Sequence, residues 1–405
     1  MKKIILSILI SIIYCTGYAQ SAGSKDAISV IPQPVSVSLQ KGYFLLKPGT
    51  AGISADAASK GVAAFLSNLL LQYYQPNVKL NARKTLSSPK STKEKIELRI
   101  NKSPDVSIGD EGYVLKVTTK KIMLSANKPQ GLFYGVQTLM QLIPPEDYGH
   151  EQTKYIQFKI PCVDITDYPR FGYRGMMLDV SRHFFTKEFI EKYIDEMAKY
   201  KFNVFHWHLT DDQGWRIEIK GLPELTEVGA WRVPRTGRWG TFQQPQPGEK
   251  ATDGGFYTQE DIREIVQYAK QRFVNILPEI DGPAHSLALI ASDPNLSCTQ
   301  KQYQVWPQYA PDSIDDVLCV ANDSTWLILD KIFTQVAQLF PYKYIHVGGD
   351  EANRSFWMKD PKDIALMQKE GITTPAGLQS YFEKKLEKLI VSKGKRMIGW
   401  DEIVE

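Results

Sequence analysis

From residue 168 onward the chain repeats one unit, a short apolar run followed by a long amphipathic segment, and this repetition limits the folds open to it. The apolar runs are GYRGMMLDVS (172–181), NVFHWHLT (203–210), VNILPEID (274–281), YKYIHVGG (342–349) and RMIGWDE (396–402). Between them lie helical patterns: one opening at Thr186 with Glu188 in its first turn, then TQEDIREIVQYAKQRF (258–273), STWLILDKIFTQVAQLF (324–340) and LQSYFEKKLEKLIVSKG (378–394). Thr258 followed by Asp261 is a capping-box variant, and Gly394 suits the residue just past a helix end. Strands apolar on both faces and joined by helices predict a parallel sheet covered by helices.

The polar clusters in these units all fall at the C-terminal ends of the strands: Asp179 to Arg182, His208 to Asp212, Glu279 to His285, Asp350–Glu351 and Trp400 to Glu402. That is where a (β/α)8 TIM-type barrel builds its site. A doubly wound open sheet is the alternative, but no glycine-rich phosphate fingerprint follows the first strand. The expected fold class is therefore α/β, with a barrel over 168–405. About five of the eight strands fit before Glu405, so the barrel is expected to stop short of its last strands.

The preceding region has a different texture. Alternating runs KIELRIN (95–101) and GYVLKVTTKKIMLSA (112–126), with helical patterns at 61–74 and 131–143, predict a small non-catalytic α+β domain over 24–165. Residues 1–19 read as a signal peptide, with Lys2 and Lys3, an apolar core from Ile4 to Tyr14, and small residues Gly17 and Ala19 before the cleavage point. The apolar core is short for a bilayer span, and bulky residues before Cys15 disfavour a lipoprotein signal. Export to the periplasm or beyond is expected, without stable membrane insertion. Export permits disulfides, and Cys298 and Cys319, which flank a polar loop, are expected to pair and leave Cys162 free. A formal charge of +4 with mixed signs gives no nucleic-acid footprint.

In YIHVGGDE (344–351), Asp350 and Glu351 stand side by side directly after a strand. Ionising both is costly, and a division into one proton-carrying and one charged carboxyl suits glycoside hydrolysis. The string FHWHLTDDQGWR (205–216) adds His206, His208 and Asp211, and PEIDGPAH (278–285) adds Glu279, Asp281 and His285. Arg182 is a forked donor suited to sugar hydroxyls, and Trp400 a flat wall for a pyranose face. Singly, structural roles fit several of these: His206 as a core histidine, Asp179 and Asp281 as strand-end caps, Trp215 as packing. A metal-dependent barrel hydrolase using His206, His208, His285 and an acid, or a non-catalytic carbohydrate-binding protein, are the alternatives.

Together, the H-x-G-G-D-E and W-H-L-x-D-D-Q-x-W-R strings resemble glycoside hydrolase family 20, the exported β-N-acetylhexosaminidases, from about residue 26 to the end. The resemblance implies cleavage of terminal N-acetylhexosamine from glycans, with the substrate's acetamido oxygen as nucleophile and no cofactor or metal; in this the family departs from the two-carboxylate scheme. It implies Glu351 as general acid and base, Asp350 as the group orienting the acetamido group, and Arg182 at the non-reducing-end hydroxyls. Asp211 and His285 would stand beside the acid, and Trp400 would wall the acetamido methyl. Ala284 replaces the family's usual glycine before the histidine. The family's acetamido-binding tyrosine, its later tryptophans and a late glutamate have no counterpart here.

Overall fold

The computed structural model describes residues 28–46, 52–74, 95–143, 158–309 and 311–404, so the expected signal peptide lies outside the described residues. The chain divides into two compact units, Met1–Arg170 and Phe171–Glu405.

Among the described residues, the first unit has a six-stranded mixed sheet and two α-helices. Its strands are β1 (Ser36–Leu46), β2 (Gly52–Ala55), β3 (Lys95–Ile100), β4 (Tyr113–Val117), β5 (Lys121–Ala126) and β6 (Phe158–Asp167), in the order β1-β6-β4-β5-β3-β2. Helices α1 (Lys60–Tyr74) and α2 (Pro129–Gln141) complete it. The alternation read in 112–126 is a hairpin of β4 and β5, with Ile122, Leu124 and Ala126 buried. Glycine lets α2 lie close on this face: a Cβ on Gly135 would stand 2.3 Å from Leu124 Cδ1. The buried Tyr113 hydroxyl donates to Asp167 Oδ2 at 2.9 Å, so the polar tip of a core aromatic is satisfied.

The second unit carries a five-stranded, all-parallel sheet: β7 (Gly175–Asp179), β8 (Val204–His208), β9 (Asn275–Glu279), β10 (Tyr344–His346) and β11 (Arg396–Ile398). Its spatial order equals its chain order. Among the described strands no reversal occurs, so they contain no topological switch point of the kind an open doubly wound sheet requires. The covering helices are α3 (Lys187–Lys199), α4 (Gln259–Lys270), α5 (Leu287–Ser292), α6 (Asp323–Leu339), α7 (Pro361–Glu370) and α8 (Pro375–Ser392). Thr258 and Asp261 form the expected capping box at the start of α4. Ile190, Ile194 and Met197 of α3 and Ile262, Ile265 and Ala269 of α4 are buried at helical spacing in one core with Phe205 and Trp207 of β8. Among the described residues no helix is long and apolar enough to cross a membrane.

Register decides what the strand ends present. Asp179 pairs with His208, His208 with Glu279, and Glu279 with His346, so four polar residues from four strands form one layer at the C-terminal end of the sheet.

The expected Cys298–Cys319 bridge is not formed: Cys162, Cys298 and Cys319 are free thiols. Buried Asp363 of α7 accounts for this arrangement, because its Oδ2 accepts from the Cys298 and Cys319 sulfurs at 3.2 and 3.4 Å. Burial pushes the Asp363 carboxyl above its usual range.

Candidate active site

The loop after β7 is pinned by its own acid. Asp179 Oδ1 accepts the backbone N–H groups of Ser181 and Arg182, each at 2.9 Å, and Oδ2 takes Arg182 Nη1 at 2.9 Å. The guanidinium then reaches buried Asp211 (Nη2 to Oδ2, 2.5 Å) and donates from Nε to Gln213 Oε1 at 2.8 Å. Burial opposes its charge, but Asp211 and Asp179 outweigh burial and hold its pKa above the ordinary value. Three contacts fix the fork in place, which is what planar recognition of hydroxyls needs.

Beneath this lies a buried hub. Glu279 is fully buried; His208 Nδ1 stands 2.6 Å from its Oε2, His206 Nε2 2.8 Å from the same oxygen, and His346 Nδ1 2.9 Å from Oε1. Burial would raise the Glu279 pKa, yet the histidines drive it well below the carboxylate range. His208, which also meets Asp211 Oδ2 at 2.9 Å, is raised by Glu279 and Asp211 against the pull of burial. His206 is lowered, chiefly by burial. The hub therefore favours a charge on His208, between Glu279 and Asp211, and disfavours one on His206.

His285 joins the hub to the carboxylate pair. Its backbone sits in the left-handed region at φ 50, turning the ring so that Nδ1 lies 3.5 Å from Asp211 Oδ1 and 3.6 Å from Asp212 Oδ2. On the other side, Nε2 stands 3.6 Å from Asp350 Oδ2 and 3.5 Å from Glu351 Oε2. Burial disfavours its charge, but Asp211, Asp212 and Asp350 overcome this and keep the imidazolium protonated far above its usual range. Glu351 also has positive φ (49), and its side chain is 76% exposed, against 26% for Asp350. The two neighbours thus face different surroundings. Asp350 Oδ1 is buried and, among the described residues, accepts no hydrogen bond. It is an acceptor held ready for a donor.

The glycines before the pair serve the protein rather than the approach of a ligand. Gly348 has φ 66, and a Cβ there would fall 1.7 Å from Asp281 Oδ1; Gly349 has φ 95, and its Cβ would fall 2.2 Å from Ile403 Cγ2. Trp400 donates its backbone N–H to Gly348 O at 2.8 Å, and its ring meets that of His346 edge-on with centroids 4.7 Å apart. The tryptophan is thereby fixed beside the turn that carries both carboxylates.

The model of glycosyl hydrolase family 20, catalytic domain, matches residues 171–405, and that of glycosyl hydrolase family 20, domain 2, matches 27–168. The chain belongs to glycosyl hydrolase family 20. It is 36% identical over 411 residues to a β-hexosaminidase of Porphyromonas gingivalis, covering 98% of this chain and 48% of that protein. It is 38% identical over 383 residues to a β-hexosaminidase of Vibrio furnissii, covering 93% and 57%. Among solved structures, the GH20 exo β-N-acetylglucosaminidase of Vibrio harveyi in complex with N-acetylglucosamine superposes with a TM-score of 0.76 at 35% identity, over 92% of this chain and 55% of that one. The chain spans about half the length of the curated relatives it matches. These family 20 neighbours have the TIM-type barrel with a preceding domain, the architecture to which the sequential parallel sheet belongs.

Within this family 20 site, Arg182, Asp211, His285, Asp350 and Glu351 form one continuous chain of contacts, and Trp400 packs against the same turn. Glu279 and His346, the centre of the hub, escape a reading of strand ends because only register brings them together. Asp316, on the loop before α6, is also missed; burial and nearby Asp212 push its carboxyl up to about 8. Among the described residues, four side-chain sets have their donor atoms within 4.8 Å of one another, close enough to hold a cation: Cys298, Cys319, Asp360 and Asp363; His206, Glu279 and His346; His208, Glu279 and Asp281; Asp211, Asp212 and His285. His206, His208 and His285 fall into three different sets, so the three histidines do not come together as the alternative metal-dependent reading requires.

Proposed function

We propose that the protein removes terminal non-reducing N-acetyl-β-D-hexosamine residues from oligosaccharides or glycoconjugates, with retention and with the substrate's acetamido oxygen as nucleophile. The observation that carries this reading is the unlike pair at the turn after β10: Asp350 offers a buried oxygen without a donor, and Glu351 faces solvent at its side. An amide N–H is the donor that fits the first, and a departing glycosidic oxygen is the base that fits the second. The names of the Porphyromonas and Vibrio relatives support the substrate class.

In this reading the acetamido oxygen attacks the anomeric carbon as the glycosidic bond breaks, and the Glu351 proton passes to the leaving oxygen. Asp350 accepts the amide N–H, and its charge opposes the positive charge that builds on the oxazolinium-like ring. Water then opens that ring at the anomeric carbon and gives its proton to Glu351. Arg182 holds hydroxyls at the non-reducing end, Asp211 and His285 fix the charge behind the pair, and Trp400 walls the methyl group. Neither a metal nor a cofactor enters the scheme. Residues 1–19 direct the protein to export in the same reading, on their basic and apolar pattern.

Asp350→Asn tests the assignment. The amide keeps the size but loses the charge, so kcat on an N-acetyl-β-glucosaminide is expected to fall by about 10²-fold or more. Inhibition by a thiazoline mimic of the intermediate is expected to weaken in parallel. Unchanged kcat and unchanged inhibition would remove Asp350 from the proposed role.

A further inference from the structure

The scheme above needs Asp350 and Glu351 in fixed and different places, but the strand that leads to them ends before their turn begins. β10 stops at His346, and beyond it Gly348, Gly349 and Glu351 all have left-handed backbone, with φ of 66, 95 and 49. Glycine adopts this conformation freely, whereas a glutamate keeps it only where its surroundings impose it. The Gly348 carbonyl is held by the Trp400 backbone N–H. The Gly349 carbonyl is held by a side chain of α8.

That side chain is Gln379, which is only 3% exposed. Its Nε2 donates to Gly349 O at 2.8 Å, and its Oε1 accepts from Arg354 Nε at 2.8 Å. The two bonds land one residue before Asp350 and three residues after Glu351. One planar amide thus spans the whole segment that carries both carboxylates. The helix behind it is well anchored: Thr374 accepts the Gly377 N–H at its start, and Leu378, Phe382, Leu386 and Ile390 are buried in the core. A buried amide is costly unless both its ends are matched, and here both matches are made with the turn. Glu383, one helical turn further along, lies against the same glycine, but among the described residues neither of its oxygens has a partner. On α8 the anchoring of the turn falls to Gln379.

We infer that Gln379 is a positioning residue for the carboxylate pair: by fixing Gly349 and Arg354 it sets where Asp350 and Glu351 stand against His285. The inference rests on the roles given to Asp350 and Glu351 above, and adds that their placement is set from α8 as well as from β10. Glutamine suits the task because one group supplies a donor to the carbonyl and an acceptor to the guanidinium. Glutamate in its place would keep the bond from Arg354 but turn an oxygen on the Gly349 carbonyl. Methionine would keep the size and lose both bonds.

The test follows the imidazole signals of the 405-residue chain by NMR with isotope-labelled histidine, His285 being assigned by their loss in His285→Gln. Gln379→Met and Gln379→Glu are both expected to shift or broaden the His285 signals, since the carboxylates beside its Nε2 lose their fixed places. The signals of His206 and His208, held by Glu279, are expected to stay, which shows that the fold survives. On an N-acetyl-β-glucosaminide, kcat is expected to fall by about tenfold or more in either variant, as misplaced reacting groups require. In an Asp350→Asn background the same substitutions should cost far less, because the group they position is already disabled. A residue that only stabilises the fold would leave the His285 signals in place and give additive losses. Unchanged His285 signals in both variants, or additive losses, would overturn the inference. The His285 signals need no hydrolysis, so failure here is separable from failure of the hexosaminidase reading, which Asp350→Asn tests alone.

Discussion

Glu351→Gln is expected to slow release of a sugar or alkoxide leaving group by about 10³-fold, within the range that a positioned general acid supplies. The loss should depend on the leaving group. A nitrophenolate needs little protonation as it departs, so its glycoside should lose far less in the bond-breaking step. The geometry supports this split: Glu351 is mostly exposed, left-handed in backbone and 3.5 Å from His285. The comparison is kcat for two N-acetyl-β-glucosaminides that differ only in leaving group, for the natural residue and for Gln. Equal losses on both substrates would contradict a proton-donor role, and no loss on either would remove Glu351 from the chemistry.

Glu383 of α8 is expected to make the stability of the second unit depend strongly on pH. It is 3% exposed and lies under the catalytic turn, with Oε1 3.3 Å from where a Cβ on Gly349 would stand. Among the described residues neither carboxyl oxygen has a partner, and burial pushes its pKa up to about 8. Between the unfolded value near 4.5 and this folded value, the folded chain holds a proton that the unfolded chain has released. Stability therefore falls as pH rises across that window, by on the order of 5 kcal/mol, and levels off above it. Glu383→Gln carries no such proton. Urea unfolding of both proteins at pH 5 and pH 8.5 should show the natural residue losing ground to Gln at the higher pH. A difference independent of pH would show that the carboxyl is not held protonated.

The barrel strands were legible because each is an apolar run ending in polar residues, and each of the five runs contains one strand of the sheet. Their sequential order follows from crossover helices, which the capped pattern at Thr258 announces. The small domain was readable from alternation, as at Lys121–Ala126, where every second residue is buried. What escaped depends on partners distant in sequence. Glu279 reads as a strand-end acid, yet its environment is set by three histidines on two other strands. Glu383 sits among Lys384, Lys385 and Glu387 and reads as part of a solvated face, although tertiary packing buries it. The need for glycine before Asp350 is likewise set by distant partners, Asp281 and Ile403, the latter more than fifty residues later. Proximity of Cys298 and Cys319 was readable too, but not the buried carboxylate of Asp363 that both sulfurs meet.

The central claim is that Asp350 holds the substrate's own acetamido group as the nucleophile. It is tested most directly by the rate of cleavage of β-glucosaminides whose 2-acetamido methyl bears zero, one, two or three fluorines. Each fluorine withdraws electrons from the amide oxygen and weakens it as a nucleophile, while the leaving group and the sugar ring stay the same. The account predicts a steep, progressive fall in kcat/KM along the series. A rate independent of fluorination would show that another group attacks the anomeric carbon, and the role given to Asp350 would be wrong.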